Sequence, residues 1–125
     1  MSDSCPCGSG ESYAACCGRL HRGEGRAATA EQLMRSRYSA FAVGDRDYLL
    51  RTWFPATAPA ALDLDDDLRW VRLDVTDVAR GGFLDTDGEV EFTAHYRSGT
   101  VRSTQHERSA FVREGGRWLY VGEAR

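Results

Sequence analysis

The spacing of apolar residues changes once along this chain, near residue 68. Before that point apolar residues recur every three or four positions, which is typical of helices. After it they alternate with polar residues, which is typical of strands. Thr29 and Gln32 have the form of a capping box, which predicts a helix over 30–43 that ends at Gly44.

A second, shorter helix is predicted directly after the first. Asp45 is its expected cap, the helix covers 46–53, and Pro55 stops it. The segment that follows is rich in proline and alanine, and we expect at most a short helical turn around 59–62. The acidic run 63–67 is interpreted as a solvated loop.

The second half of the chain predicts a sheet. On the first strand Val71, Leu73 and Val75 are expected on one face, because they alternate with polar residues. Helices followed by long antiparallel strands predict an α+β domain with the helices on one face of a strongly curved antiparallel sheet that encloses a concave pocket. The predicted strands cover 68–79, 89–97, 101–113 and 117–122.

All four cysteines lie near the start of the chain, at Cys5, Cys7, Cys16 and Cys17. A disulfide within either close pair would be strained, and pairings across the gap would suit a secreted protein. Four thiolates suit tetrahedral Zn²⁺ better, in a closed site that leaves no open position for catalysis. Reduced or redox-active thiols without a metal are the alternative.

The zinc hypothesis extends to the residues that follow the cysteines. Arg19, Arg22 and Arg26 are candidates to offset the negative charge of four thiolates, and His21 is an alternative ligand. Residues 18–28 contain several glycines and are read as a linker or packed loop. We therefore expect a zinc-binding knot with its linker over 1–25 and a second domain over 26–125.

Composition and charge exclude several classes of function. The chain has 125 residues, 42% of them apolar, and no apolar run approaches the ~20 residues that cross a bilayer. No signal-peptide pattern is present, so a cytoplasmic location and no membrane association are expected. The net charge of -3 gives no general attraction to nucleic acid, so we expect no sequence-specific binding of nucleic acid.

The cysteine segment resembles the SEC-C motif. The resemblance rests on Cys5-Pro-Cys7-Gly-Ser-Gly10, Tyr13 and Cys16-Cys17-Gly18. That motif ends the translocase ATPase SecA, where its last ligand is often histidine and where it is a zinc-dependent contact for the chaperone SecB and for ribosomes. The resemblance implies one structural Zn²⁺ on the four cysteines and a chaperone or ribosome-associated protein partner.

The remainder of the chain is similar to the YchJ family. The resemblance rests on Leu33-Met34-Arg35-Ser36-Arg37-Tyr38, Phe41, Asp47-Tyr48-Leu49, Thr52-Trp53, Val90-Glu91-Phe92, Ala94, Tyr96, His106-Glu107-Arg108-Ser109, Phe111 and Gly116-Arg117-Trp118. The middle domain of that family resembles nuclear transport factor two and ketosteroid isomerase. It implies a cone-shaped, cystatin-like roll, while the family name by itself implies no activity.

Polar residues around the expected cone are the candidates for chemistry. His106 and Glu107 are neighbours on a strand and must point to opposite faces, so they cannot form a dyad with each other. One residue of register decides which of them faces the pocket. A buried Glu107 is either a general base with a raised pKa or an ion-pair partner of a helix arginine. The candidate set is Arg35, Arg37, Tyr38, Trp53, His95, His106, Glu107 and Arg108.

Three functions compete at this stage. The first is a zinc-stabilised adaptor that docks a protein partner through the knot. The alternative is a small-molecule binding protein or an enzyme of lyase, isomerase or hydrolase type that uses the cone pocket, with Glu107 or a histidine as base. The third is a purely structural accessory domain. A homodimer through the exposed sheet face is also expected, and the aromatic side chains are assigned to the core rather than to a ligand site.

Overall fold

The computed structural model describes residues 4–64 and 67–124. Within them, the strands form one antiparallel sheet in which each strand pairs with its neighbour along the chain. Helices therefore precede a single sheet, and the fold class is α+β, as the change of period predicted. The elements are α1 Cys17–His21, α2 Ala30–Val43, α3 Arg46–Arg51, β1 Leu68–Arg80, β2 Asp87–Ser98, β3 Val101–Glu114 and β4 Arg117–Glu123.

The ends of α2 and the start of α3 follow their local sequence signals. Thr29 Oγ1 accepts a hydrogen bond from the Gln32 backbone N–H at 3.1 Å. Gly44 ends α2 in the left-handed conformation with φ of 78°, which a residue without Cβ adopts at little cost. The Asp45 carboxylate accepts from the Tyr48 N–H at 3.0 Å. Both predicted caps are confirmed.

Other parts of the helical half differ from the prediction. Residues 17–21 form α1, which begins at the second cysteine pair and extends into the segment 18–28 that was read as a linker or packed loop. Helix α3 ends at Arg51, two residues earlier than predicted. Residues 59–62 form no helical turn, and part of the acidic run, residues 65–66, lies outside the described residues.

Strand β1 contains two irregularities, after Trp70 and after Val75. A bulge adds a residue to one strand and changes the face of the side chains on either side of it. Val71 is 54% exposed, whereas Leu73 is buried in the core. The prediction that Val71 shares a face with Leu73 and Val75 was therefore wrong, because strict alternation does not continue through a bulge.

Helix α2 lies against the concave face of the sheet and forms the centre of the core. Leu33 of α2, Val90 of β2 and Phe111 of β3 are fully buried there. The start of α2 is attached to the end of β1, since the Ala30 N–H donates to the Gly81 carbonyl oxygen at 2.9 Å. The helix thus stands between the sheet on one side and the N-terminal segment on the other.

Candidate functional site

The four cysteines converge at one point beside α2. Their Sγ atoms all lie within 4.8 Å of one another, with 3.7 Å between Cys7 and Cys16 and 4.0 Å between Cys16 and Cys17. A tetrahedron of sulfurs about 2.3 Å from Zn²⁺ has edges of about 3.8 Å. The four cysteine sulfurs therefore lie close to the spacing of a tetrahedral thiolate site for a metal ion.

The chemistry of the thiols also fits a cation at this point. The neighbouring Cys17 thiol, against the effect of burial, lowers the pKa of Cys7 to about 4, and Ser9 contributes to the shift. The same interaction and burial raise the pKa of Cys17, and burial raises the pKa of Cys16. Thiolates this close repel each other, so full deprotonation of the set requires a bound positive ion.

The turn between the cysteine pairs depends on two glycines. Gly8 and Gly10 have φ of 84° and 88°, a region that side chains rarely occupy. The Cys5 N–H donates to the Glu11 carbonyl oxygen at 2.8 Å and closes the turn. Ser9 Oγ donates to Cys16 Sγ at 3.2 Å. The two glycines thus let the chain fold back between the cysteine pairs.

His21 is not a candidate ligand in this arrangement. Its Nε2 lies 2.9 Å from the Ser36 carbonyl oxygen, which only accepts, so Nε2 carries the hydrogen. Its Nδ1 then accepts from the Tyr13 hydroxyl at 2.6 Å. Both ring nitrogens are used within the protein, and His21 connects the cysteine segment to α2.

One arginine that contacts the cysteine segment, Arg35, is not among those expected to offset the charge of the thiolates. Arg35 Nη1 donates to the Cys7 carbonyl oxygen at 2.8 Å and its Nε to Glu31 at 2.9 Å. Arg22 instead pairs with Glu24 at 2.7 Å on the surface. Arg35 was one of two helix arginines considered as ion-pair partners of Glu107, and it contacts the cysteine segment instead.

A cavity of about 250 Å³ lies on the sheet side of α2, inside the cone. Helix α2 contributes one wall and the concave face of the sheet the other, and Trp53, two residues after the end of α3, also lines the cavity. Aromatic side chains dominate the lining, so several of those assigned to the core also face this space. The lining residues are Met34, Arg37, Tyr38, Phe41, Trp53, Trp70, Phe92, Ala94, Gln105, Ser109, Phe111 and Tyr120.

Arg37 is the buried cation of this cavity, with 5% of its surface exposed. Its guanidinium carbon lies 4.9 Å from the centre of the Trp53 ring and 4.5 Å from that of Tyr120. Nη1 donates to the Leu49 carbonyl oxygen and to Thr52 Oγ1, both at 2.7 Å. Burial lowers the pKa of Arg37 to about 10, so it is charged at neutral pH.

Glu107 faces the concave side of the sheet. It pairs with Phe92 across β2 and β3, and its carboxylate accepts hydrogen bonds from Ser109 and, at 3.3 Å, from Tyr120. Burial, with a contribution from the Glu107 charge, raises the pKa of Tyr120 to about 12. Burial also raises the pKa of Tyr38 to about 12. The carboxylate and two hydroxyls form one polar edge of an otherwise apolar cavity.

The two strand histidines lie on the other face of the sheet. His106 pairs with Glu91 at 3.0 Å and His95 with Asp74 at 2.8 Å, outside the cone. Arg108 lies on that face as well and contacts three carboxylates at 2.5–2.9 Å. His95, His106 and Arg108 are therefore removed from the set of cavity residues.

The structure brings together only part of the predicted set. Arg37, Tyr38 and Trp53 line the cavity and Glu107 lies at its edge. Among the described residues neither helix arginine forms the predicted ion pair with Glu107, because Tyr120 stands between Arg37 and that carboxylate. Sequence reasoning missed Gln105 and Ser109, although alternation along β3 puts them on the face of Glu107.

Two family models match this chain, one over most of its length and one over the cysteine segment. The model of the YchJ middle domain, described as NTF2-like, matches residues 29–123, and the SEC-C motif matches residues 1–19. The UPF0225 protein SCO1677 of Streptomyces coelicolor is 55% identical over 117 residues, covering 94% of this chain and 91% of that protein. The UPF0225 protein CE1570 of Corynebacterium efficiens is 51% identical, covering 93% and 88%.

Two solved structures share the fold. The solution structure of RPA3114, a SEC-C motif containing protein from Rhodopseudomonas palustris, has a TM-score of 0.83 and 38% identity, covering 100% of this chain and 99% of that one. The crystal structure of a SEC-C motif containing protein from Psychrobacter arcticus has a TM-score of 0.79 and 27% identity, covering 97% and 82%. The chain described here belongs to the YchJ family, with a SEC-C motif before its NTF2-like domain.

Proposed function

We propose that this protein binds a small molecule in the cone cavity, and that Zn²⁺ on Cys5, Cys7, Cys16 and Cys17 has a structural role. The cavity carries the proposal, because apolar walls with a few convergent polar groups are typical of ligand sites. Arg37 supplies a buried positive charge, and Glu107 supplies a negative charge held by hydroxyl donors.

Zinc in this proposal supports the fold and does not react. Four protein thiolates complete the tetrahedral shell, so no position is left for a substrate or water. The bound metal supplies only a rigid cross-link between the two cysteine pairs. Through His21 and Arg35 that cross-link fixes the knot to α2, whose other face lines the cavity.

The cavity proposal is tested with a pair of exposed neighbours on β3. Gln105 lines the cavity, and Thr104 points to the outer face of the sheet. We expect fragments such as benzyl alcohol to shift backbone amide signals of cavity residues in two-dimensional NMR. Gln105→Trp should weaken this binding by narrowing the cavity, while Thr104→Trp should leave it unchanged. Shifts spread over the surface, or equal effects of both variants, would reject the cavity as the site.

A second candidate function is docking of a protein partner through the knot. A groove of about 280 Å³ between the knot and α2 favours it, and four charged residues contribute to its lining: Glu11, Arg19, Glu31 and Arg35. Co-sedimentation with purified ribosomes and binding to purified SecB test the partner classes. Reversal of charge at Glu11 and Arg19 should abolish binding while the cysteines keep the metal. Unchanged binding would remove this candidate.

Three earlier expectations remain predictions. No helix of the described residues is long and apolar enough to cross a membrane. The cytoplasmic location and the homodimer stay predictions, as does a domain boundary near residue 25. If the cavity ligand is also a substrate, Glu107 is the carboxylate in position to act as the general base.

A further inference from the structure

Arg37 has hydrogen-bond donors that the protein does not use. A guanidinium has five N–H donors, and Nη1 uses both of its hydrogens on Leu49 and Thr52. Within residues 4–64 and 67–124, Nε and Nη2 make no hydrogen bond, and no carboxylate forms an ion pair with Arg37. A buried charge is normally paired, so this arginine has an incomplete set of partners.

The free donors of Arg37 are held in a fixed orientation. Trp53 and Tyr120 contact the guanidinium through their rings, and the Nη1 bonds prevent it from rotating. Nε and Nη2 form the side of the guanidinium that matches the two oxygens of a carboxylate. An arginine fixed in this way loses little conformational entropy when an anion binds.

A second unused donor lies beside the first. The indole Nε1 of Trp53 is buried and has no acceptor among the described residues, the only such buried side-chain nitrogen or oxygen there. Trp53 also lines the cavity and contacts the Arg37 guanidinium. An unsatisfied buried donor costs free energy, so the indole N–H of Trp53, next to the unpaired Arg37 charge, indicates an acceptor group that comes from outside the chain.

The size and walls of the cavity limit what can carry that acceptor. Phe92, Phe111 and Trp70 provide aromatic contact surface. The volume of about 250 Å³ exceeds the roughly 150 Å³ of a cavity that holds benzene. One aromatic ring with a short substituent therefore fits, and a nucleotide or a lipid chain does not.

We propose that the cavity binds a small aromatic carboxylate, whose two oxygens accept from Nε and Nη2 of Arg37 and from Trp53 Nε1, while its ring packs against Phe92 and Phe111. This inference rests on the proposed small-molecule function and gives the ligand its chemical class. Glu107 does not compete for Arg37, because it is held by Ser109 and Tyr120. Its negative charge instead disfavours a second acidic group at that edge.

The test compares matched acids and amides on the full-length, zinc-loaded protein. Benzoate and phenylacetate are titrated against benzamide and phenylacetamide, which have the same shape without the charge. The readout is two-dimensional NMR of the three tryptophan indole N–H groups. We expect each acid to bind at least about tenfold more tightly than its amide, since charged hydrogen bonds are about twice as strong as neutral ones. The Trp53 indole signal should shift most.

Two variants each remove one of the proposed hydrogen-bond donors. Trp53→Phe removes one donor and keeps a ring, and we expect several-fold weaker binding of the acids with a smaller loss for the amides, whose carbonyl oxygen is the weaker acceptor. Arg37→Gln should remove the preference for acids altogether. His106→Gln on the outer face is the matched control and should change nothing. If Arg37→Gln does not fold, the Trp53→Phe comparison and the indole shift still decide the question.

The outcomes distinguish the two proposals. If amides bind as tightly as acids and shift cavity residues, the cavity binds small molecules but the carboxylate assignment is wrong. If neither class of probe shifts any cavity residue, the carboxylate assignment and the small-molecule function both fail. A preference for acids that persists in Arg37→Gln and Trp53→Phe would place the anion elsewhere and overturn the assignment.

Discussion

Phe92 and Glu107 lie directly opposite each other on β2 and β3, and this pairing decides which polar residues face the cone. Phe92 is buried on the concave face, so Glu107 shares that face. His106, its neighbour, pairs with Thr93 and points outward. Among the described residues, the charged groups of the cavity and its edge are therefore Arg37 and Glu107, and neither strand histidine is one of them.

Metal content is the first prediction. We expect one Zn²⁺ per chain by native mass spectrometry, and none in Cys16→Ser. Ser9→Ala removes only the hydroxyl that donates to Cys16 Sγ, and it should retain the metal with affinity lowered about tenfold or more. A chelator should speed hydrogen exchange in residues 4–25 more than in the sheet. Wild-type protein that purifies without metal would contradict the structural zinc centre.

A second prediction concerns the close approach of two glycines at the entry to β2. A Cβ on Gly88 would lie 2.5 Å from Gly81 Cα, whereas the nearest atom to a Cβ on Gly82 is 3.4 Å away. Gly88→Ala should therefore lower the free energy of unfolding by about 1–3 kcal/mol, the usual cost of overpacking. Gly82→Ala, the matched control, should change it by less than about 0.5 kcal/mol. Urea unfolding measures both.

Alkaline pH should destabilise the fold through two buried tyrosines. Burial raises the pKa of Tyr38 and, with the Glu107 charge, that of Tyr120, each to about 12. An unfolded tyrosine has a pKa of about 10. The folded state therefore binds more protons between pH 10 and 12. The contribution of the two tyrosines to the free energy of unfolding is complete below pH 10 and is lost as the pH rises through 12.

The measurement is the unfolding free energy of the wild type and of a variant with both tyrosines changed to phenylalanine. Each tyrosine contributes a slope of at most about 1.4 kcal/mol per pH unit. Arg37, whose pKa burial lowers to about 10, acts with the opposite sign over this range, so the difference between the two proteins is the relevant quantity. Parallel pH curves for the two proteins would refute the linkage.

Removal of the Glu107 charge should lower the pKa of Tyr120. Burial is the larger cause of the raised pKa of Tyr120 and remains in Glu107→Gln, while the charge is removed. We therefore expect that pKa to fall below 12 but to stay above the usual 10, as followed by the NMR signal of the tyrosine Cζ. Glu91→Gln, which lies on the outer face with Arg108 and His106, should leave Tyr120 unchanged. Equal titration curves in all three proteins would contradict the contact.

Short-range sequence patterns predicted much of the fold and the four-cysteine site. The caps at Thr29 and Asp45 and the left-handed Gly44 depend on neighbours a few residues away, so the sequence predicted them correctly. The bulge that exposes Val71 broke the alternation rule, because a bulge is a property of paired strands. The contact of Arg35 with the Cys7 carbonyl oxygen was not predicted, because the two residues lie 28 positions apart in the chain.

The sequence by itself determined the four-cysteine site, the order of helices and strands, and the family, since each depends on residue types at short spacing. Only the tertiary structure decided that Glu107 and not His106 faces the cone, because a one-residue slip in register reverses the faces of a strand. It also decided that Arg37 lies between Trp53 and Tyr120 and forms no ion pair with a carboxylate of the described residues. Those contacts join residues far apart in the chain, and packing of α2 on the curved sheet is what brings them together.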